Sequence, residues 1–199
     1  MSTKAKGTSV TQKLIQLSAK QGALFPNLVT IFLIERLVSR LVADEKLRNH
    51  LVFKGGFVGL KVYDSPRYTV DLDALLLKAN VDATLSMTKA AAESDLDDGV
   101  WFRFQEKVDL ATQGEYGGIR QVYRAGIGEV IKNVKKAQII NFDLGIGDPV
   151  TPAPFAATTR GLISNETLSW SVYPIETIVA EKLHAVVAHA DGNSRSKDI

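Results

Sequence analysis

Cysteine is missing from this sequence, and histidine occurs only three times. Without cysteine the chain has no structural disulfide, thiolate zinc site, iron–sulfur cluster or cysteine nucleophile. Three histidines are too few for a histidine-rich metal centre. Because a chain without disulfides suits a reducing compartment, we expect the protein to be cytoplasmic.

Long hydrophobic runs are also missing. The longest apolar stretch lies around residues 28–37 and is interrupted by Glu35 and Arg36, whereas a membrane span needs about 20 mostly uncharged residues. The first seven residues are polar, and no apolar segment of a signal peptide follows them directly. The pattern therefore predicts a soluble protein with no membrane partner.

The composition that remains is that of an ordinary globular protein. The 199 residues are 45% hydrophobic and 23% charged, which is enough for a self-sufficient core and excludes a disordered or collagen-like chain. We expect a single domain over residues 1–199. The formal net charge of +2 permits a nucleic-acid or nucleotide partner without requiring one.

Helical and strand patterns follow one another in an order typical of an α+β protein. N-terminal helices within residues 9–47 precede a mixed core over residues 51–199, for which we expect a mixed or antiparallel sheet. In full, the pattern predicts helices at 9–21, 27–47, 55–63, 82–96 and 174–190, and strands at 51–53, 70–77, 101–111, 119–124, 137–146 and 168–172.

The strand at 70–77 carries two acids at alternate positions, Asp71 and Asp73. Side chains alternate between the two faces of a strand, so both carboxylates point the same way. Such a pair repels itself unless a cation or a basic group lies between the carboxylates, and a hard cation such as Mg²⁺ suits it. The alternative is an exposed strand face with two solvated acids.

A glycine pair, Gly55-Gly56, directly follows the strand at 51–53 and precedes a short helix. A turn of this kind exposes backbone N–H groups at a helix N-terminus, where they bind phosphate. A plain tight turn is the alternative. The acid pair about fifteen residues later makes the phosphate site the more specific interpretation, because phosphate and metal sites are then offered by neighbouring elements.

An acid also interrupts the apolar strand at 137–146, where Asp143 follows Phe142. Ile140, Phe142 and Leu144 alternate onto one face, and Asp143 lies on the other. It is a candidate third carboxylate facing Asp71 and Asp73 across the sheet. The alternative is an ordinary strand with one solvated face.

A lysine falls within the apolar stripe predicted for the last helix. At roughly 100° per residue, Lys182 lies inside this stripe and Glu181 outside it. Lys182 then either extends to the edge of the stripe or points inward at an anion such as a nucleotide phosphate. The stripe is formed by Ile175, Ile178, Val179, Leu183 and Val186.

These segments occur along the chain in a specific order: Phe53-Lys54-Gly55-Gly56, residues 67–73 with Asp71-Leu72-Asp73, Phe142-Asp143-Leu144, residues 173–185 with Ala180-Glu181-Lys182-Leu183, and Arg195-Ser196-Lys197-Asp198. In this combination the sequence resembles the AbiEii-type nucleotidyltransferases, which are toxins of type IV bacterial toxin–antitoxin and phage-abortive systems. The resemblance runs from about residue 25 to the end.

The resemblance implies a polymerase-β-type nucleotidyltransferase fold, a small mixed sheet flanked by helices, with an NTP substrate and Mg²⁺. It assigns metal binding to Asp71, Asp73 and Asp143, of which Asp143 either binds metal or acts as base on the acceptor hydroxyl. It assigns nucleotide binding to Lys54, Gly55, Gly56, Thr69 and Lys182, where Lys182 neutralises phosphate charge. Asp198 matches a late acidic motif, with Arg195 or Lys197 beside it.

Two positions depart from the pattern of the family. Phe57 follows Gly55-Gly56 where the family usually has Thr or Ser, so a hydroxyl that contacts phosphate is missing. The chain also stops at Ile199, where relatives continue with another helical segment, so we expect a truncated product or a short family member.

Three functions remain open at this point. The first is a toxin that modifies RNA, such as a tRNA acceptor end, and has a cognate antitoxin. The second is nucleotidyl transfer to a small molecule, as in antibiotic modification, and the third is a non-catalytic nucleotide-binding remnant. Basic residues either follow an RNA backbone or form a solvated face; they are Arg120, Arg124, Lys132, Lys135 and Lys136.

Overall fold

The computed structural model describes residues 2–110, 117–147 and 150–188. The helices in these ranges are α1 (Thr3–Gln21), α2 (Phe25–Ala43), α3 (Glu45–His50), α4 (Gly55–Val62), α5 (Val81–Ala92) and α6 (Ile175–Ala188), with a 3-10 turn at Val134–Lys136. The strands are β1 (Leu51–Lys54), β2 (Asp71–Leu76), β3 (Val100–Leu110), β4 (Gly117–Ile127), β5 (Gln138–Ile146), β6 (Phe155–Arg160) and β7 (Thr167–Val172).

All described strands join one sheet in the order β3-β4-β5-β2-β1-β7-β6. β2 pairs with β5 and β1 with β7 in parallel, and the other neighbouring strands are antiparallel. The mixed sheet and its helices confirm the predicted α+β class. With seven strands the sheet is larger than expected, because β6 was not predicted: only Ala157 and Thr159 of that strand face the core, which leaves too weak an apolar pattern.

Capping residues set helix boundaries that differ from the sequence prediction. The region 27–47 was predicted as one helix, but it divides at Asp44, whose carboxylate accepts a hydrogen bond from the Leu47 N–H and caps α3. α1 begins at Thr3 rather than at residue 9, because the Ser2 hydroxyl accepts from the Ala5 N–H. Short polar side chains at these positions satisfy N–H groups that a helix cannot.

The core lies between the sheet and the helices that cover one of its faces. Leu33, Ile34 and Leu37 of α2 are fully buried, as are Phe142 and Leu144 of β5, and α2 contacts both β5 and β7. The next residues along β5 and β2 point to the opposite face, because side chains alternate along a strand. Burial of the apolar face therefore presents the acids of both strands on the other side of the sheet.

Helix α2 also buries two charged residues with their partners. Glu35 accepts from the Lys61 ammonium at 2.6 Å and from the Leu162 N–H at 3.0 Å. Arg40 donates to both carboxylate oxygens of Asp98, at 2.8 and 3.0 Å. These pairs tie α2 to α4 and to the segment that leads into β3, since a buried charge needs a partner.

Candidate active site

Strand register aligns four charged side chains in one row across the sheet. Lys54 of β1 pairs with Asp73 of β2, Asp73 pairs with Asp143 of β5, and Asp143 pairs with Arg120 of β4. Directly paired residues on neighbouring strands point to the same face. The two carboxylates in the middle of the row are therefore flanked by a cation on each side.

Asp71 lies on the same face, two residues from Asp73. Its neighbour across the β2–β5 pair is Asn141, whose side-chain amide donates to Asp71 Oδ1 at 2.9 Å. The alternation predicted from the sequence thus places Asp71, Asp73 and Asp143 on one face, and the β2–β5 register brings Asp143 beside Asp73.

Arg120 binds the Asp143 carboxylate with both arms of its guanidinium. Nε donates to Oδ1 and Nη2 to Oδ2, each at 2.7 Å, and Nη2 also lies 3.9 Å from Asp71 Oδ2. The hydrogen bonds with Asp143 raise the pKa of Arg120 above its ordinary value. From its sequence position Arg120 was predicted only as one of several basic residues, because the β4–β5 register that sets its position is not visible in a sequence.

At the other end of the row, Lys54 contacts helix α6. Its ammonium donates to Glu181 Oε1 at 2.8 Å and lies 5.3 Å from the centre of the Tyr173 ring. The ion pair with Lys54 therefore links Glu181 to the carboxylate face. No role was predicted for Glu181 beyond its place in the family motif.

Crowding of the carboxylates changes the proton affinity of Asp73. Burial, followed by the charges of Asp143 and Asp71, raises the pKa of Asp73 to about 7, and Lys54 only partly opposes this. Each of these effects disfavours the ionised form. A positive charge brought to this side chain would therefore be stabilised.

The turn from β1 into α4 packs directly against Asp73 and Thr69. Gly55 has φ +74°, and a β-carbon on it would collide with the Asp73 carboxylate, while one on Gly56 would lie 2.8 Å from Thr69 Oγ1. The Thr69 hydroxyl itself donates to the Asp71 carbonyl at 3.2 Å. Only glycine fits here, and the first amides of α4 therefore lie beside the acids.

Phe57, at the position where a hydroxyl was expected, points away from this turn. Its side chain is fully buried and its ring centre lies 5.7 Å from that of Trp170. Phe57 therefore contributes to the core rather than to the glycine turn.

The apolar stripe predicted for α6 is wrong in three of its members. Three members of that stripe, Ile175, Val179 and Leu183, are 44%, 47% and 61% exposed, and Thr177 and Ile178 form the buried side instead. Lys182 is half-buried on that side, four residues after Ile178, and so is Glu181, which was predicted to lie outside the stripe. Apolar residues occur almost all round this helix, so the helical period did not determine which side packs. Asp198, Arg195 and Lys197 lie outside the described residues.

The donor atoms of this face suit a hard divalent cation. Mg²⁺ takes oxygen ligands and is usually held by one or two carboxylates together with substrate phosphates, and Asp71 and Asp73 provide such a pair. Within residues 2–110, 117–147 and 150–188, no three His, Cys, Asp or Glu side chains are arranged to hold a metal ion. Asp143 is instead engaged by Arg120.

In the same ranges, no helix has both the length and the apolarity that crossing a bilayer requires.

Comparison with known proteins identifies a related family and related folds. The model of a family described as nucleotidyl transferase AbiEii toxin, type IV TA system, matches residues 36–199. Among solved structures, JHP933 from Helicobacter pylori is similar, with 19% identity and a TM-score of 0.50 over 83% of this chain and 60% of that one. MenT4, a nucleotidyltransferase toxin from Mycobacterium tuberculosis, has 16% identity and a TM-score of 0.53 over 81% and 53%.

At these identities the two structures show a shared fold. The chain spans 60% and 53% of their lengths. No curated protein sequence matches.

Proposed function

The chain belongs to the AbiEii nucleotidyltransferase toxin family, and we propose that it transfers a nucleoside monophosphate from an NTP to an RNA acceptor, such as tRNA, with Mg²⁺. As a member of a toxin–antitoxin family, it would be neutralised by a cognate antitoxin. The observation that carries the proposal is the row Lys54–Asp73–Asp143–Arg120 beside the Gly55-Gly56 turn.

Nucleotidyl transfer requires in-line attack of an acceptor hydroxyl on the α-phosphate. Divalent metal supplies charge neutralisation at the attacking and leaving oxygens. The protein has little covalent work to do, so its residues act by positioning and by charge. A face with three carboxylates, flanking cations and a tight glycine turn provides both.

Each residue of the face has a role in this proposal. Asp71 and Asp73 would hold the cation. Because Asp73 lies directly against the glycine turn, phosphates bound at that turn would lie next to the cation. Asp143 accepts the proton of the acceptor hydroxyl or joins the metal ligands. The backbone N–H groups at Gly55 and Gly56 contact the phosphates, and Thr69 supports this turn through its contact with Gly56.

Two further roles come from the resemblance to the family. Lys182 of α6 would neutralise phosphate charge, and Lys54 would lie on the nucleotide side of Asp73. Asp198 would supply the late acidic group. Helix α6 contacts the row through the ion pair between Glu181 and Lys54.

The open face of the sheet supports an extended acceptor. Arg103 of β3 pairs directly with Arg124 of β4, and Arg124 lies on the same face of β4 as Arg120, four residues away. Positive side chains that continue from a catalytic face suit a phosphate backbone. This favours RNA over a small, positively charged antibiotic as acceptor.

The direct test is transfer of label from each of the four NTPs, carried at the α-phosphate, to total bacterial RNA with Mg²⁺. Asp71→Asn and Asp73→Asn serve as inactive variants, and Asp109→Asn, an exposed acid on β3, as the matched control. We expect labelled RNA from the wild type and from Asp109→Asn alone. If the protein binds NTP but transfers no label to any RNA preparation, the proposal of an RNA acceptor is contradicted. If no NTP binds in a Mg²⁺-dependent way, the proposal of a nucleotidyltransferase is contradicted.

A further inference from the structure

Arg120 occupies the place on the carboxylate face where a cation is needed. Its guanidinium binds both oxygens of Asp143 at 2.7 Å, and Nη2 also lies 3.9 Å from Asp71 Oδ2. A two-pronged pair of this kind is among the stronger hydrogen-bonded contacts of a carboxylate. Arg120 thereby neutralises Asp143 and extends toward the pair that would hold metal.

A divalent cation that approaches Asp143 must compete with this guanidinium. Guanidinium stays charged at any ordinary pH, so the competition is between two cations and does not depend on a proton. Arg120 is 31% exposed, which leaves the side chain room to change rotamer. The same planar group also binds phosphate oxygens in pairs.

We propose that Arg120 holds Asp143 while the nucleotide is absent, weakens metal binding in that state, and moves to the nucleotide's phosphates when metal and nucleotide bind together. This inference rests on the proposed function. It makes divalent metal and NTP bind cooperatively, because the phosphates provide the guanidinium with a second partner and release Asp143.

Metal binding to the purified chain tests this directly. The probe is Mn²⁺, titrated by electron paramagnetic resonance, first alone and then with a non-transferable NTP analogue. The variants are Arg120→Gln, which removes the charge, and Arg120→Lys, which keeps the charge but loses the fork. Arg48→Gln, which removes an exposed arginine of helix α3, is the matched control.

Removing the Arg120 charge is expected to raise the affinity for Mn²⁺, whereas loss of a purely structural residue would leave that affinity unchanged or lower it. Without nucleotide, Arg120→Gln should bind Mn²⁺ about tenfold more tightly than the wild type, since a competing positive charge has been removed. Arg120→Lys and Arg48→Gln should match the wild type. With the NTP analogue the advantage of Arg120→Gln should disappear, and its affinity for the analogue should fall about tenfold.

Equal or weaker Mn²⁺ binding by Arg120→Gln would overturn the inference, because Arg120 would then only support Asp143. Should that variant fail to fold in a thermal melt with chelator, Arg120→Met, which keeps the apolar stem, is measured in its place with the same criterion. If the wild type labels RNA while Arg120→Gln shows no metal effect, only this inference fails. If neither the wild type with NTP nor Arg120→Gln binds Mn²⁺, the proposed function fails with it.

Discussion

Gly55 and Asp73 approach each other so closely that no β-carbon fits between them. The contact joins the turn after β1 to the middle acid of β2, and it is made by backbone on one side and carboxylate on the other. Asp73 can therefore occupy its position only because Gly55 has no β-carbon. The φ of +74° at Gly55 is a second reason for glycine at this position.

Gly55→Ala should damage the site more than the fold. The left-handed backbone costs an alanine about 1–2 kcal/mol, and the new methyl group must displace the Asp73 carboxylate. A displacement of about 1 Å in a reacting group lowers turnover by about 100-fold. Stability is measured by urea unfolding and activity by transfer of label. Gly59→Ala, in the same helix, is the control: its nearest neighbour lies 3.6 Å away, so wild-type activity is expected, and a loss there would contradict this account.

Asp73→Asn should stabilise the metal-free protein at pH 8. The folded state raises the pKa of Asp73 to about 7, so ionising this acid destabilises the fold. That destabilisation is absent below the unfolded pKa of about 3.9 and is complete above the folded value. Urea unfolding with EDTA should give Asp73→Asn a higher free energy of unfolding than the wild type at pH 8. This difference should shrink as the pH falls toward 4. Asp109→Asn should show no such trend. A variant less stable than the wild type at pH 8 would refute the prediction.

Asp98→Asn should destabilise the protein near neutral pH. Burial alone would raise the pKa of Asp98, but hydrogen bonds and charge from Arg40 and Arg36 outweigh it and hold this pKa below its usual value. Its contribution to stability is therefore present above pH 4 and lost as the pH falls through the lowered value. Removing one partner of a buried pair costs about 3 kcal/mol. The loss of unfolding free energy in Asp98→Asn should become smaller at acidic pH. A loss that does not depend on pH would exclude the charge of Asp98 as its cause.

Glu35 and Lys61 should show strong energetic coupling in a double-mutant cycle. Both side chains are nearly buried and lie 2.6 Å apart. Glu35→Gln keeps an acceptor for the Leu162 N–H, so with Lys61→Met the cycle isolates the ion pair. We expect a coupling of about 1–3 kcal/mol in urea unfolding. The control is the pair Arg36–Glu166, whose glutamate side chain is 71% exposed; Glu166→Gln should cost less than about 1 kcal/mol. Equal effects at both pairs would contradict a role for burial.

The carboxylates could be predicted because their positions follow from alternation within single strands. Asp71 and Asp73 are two residues apart, and the apolar residues that alternate with them define the buried face. The same alternation along β5 leaves Asp143 on the exposed side. Both conclusions need only local geometry, which a sequence contains.

Arg120 and Asn141 could not be assigned in the same way, because their partners lie on other strands. Arg120 meets Asp143 through the β4–β5 register, and Asn141 meets Asp71 through the β2–β5 register. Register depends on how strands far apart in the chain pair. The packing side of helix α6 was predicted wrongly for a related reason. Its helical period was evident from the sequence, but the side that packs depends on tertiary contacts.

The order of the strands has a consequence for how activity arises during synthesis. Asp71 and Asn141, whose strands β2 and β5 lie side by side, are 70 residues apart in the chain. Pairing over such a separation forms late, because the long loop must close first. A nascent chain that has left the ribosome only as far as β4 contains the glycine turn and the Asp71–Asp73 pair but not Asp143. We therefore expect the growing polypeptide to lack the complete carboxylate face until β5 has been translated and has docked.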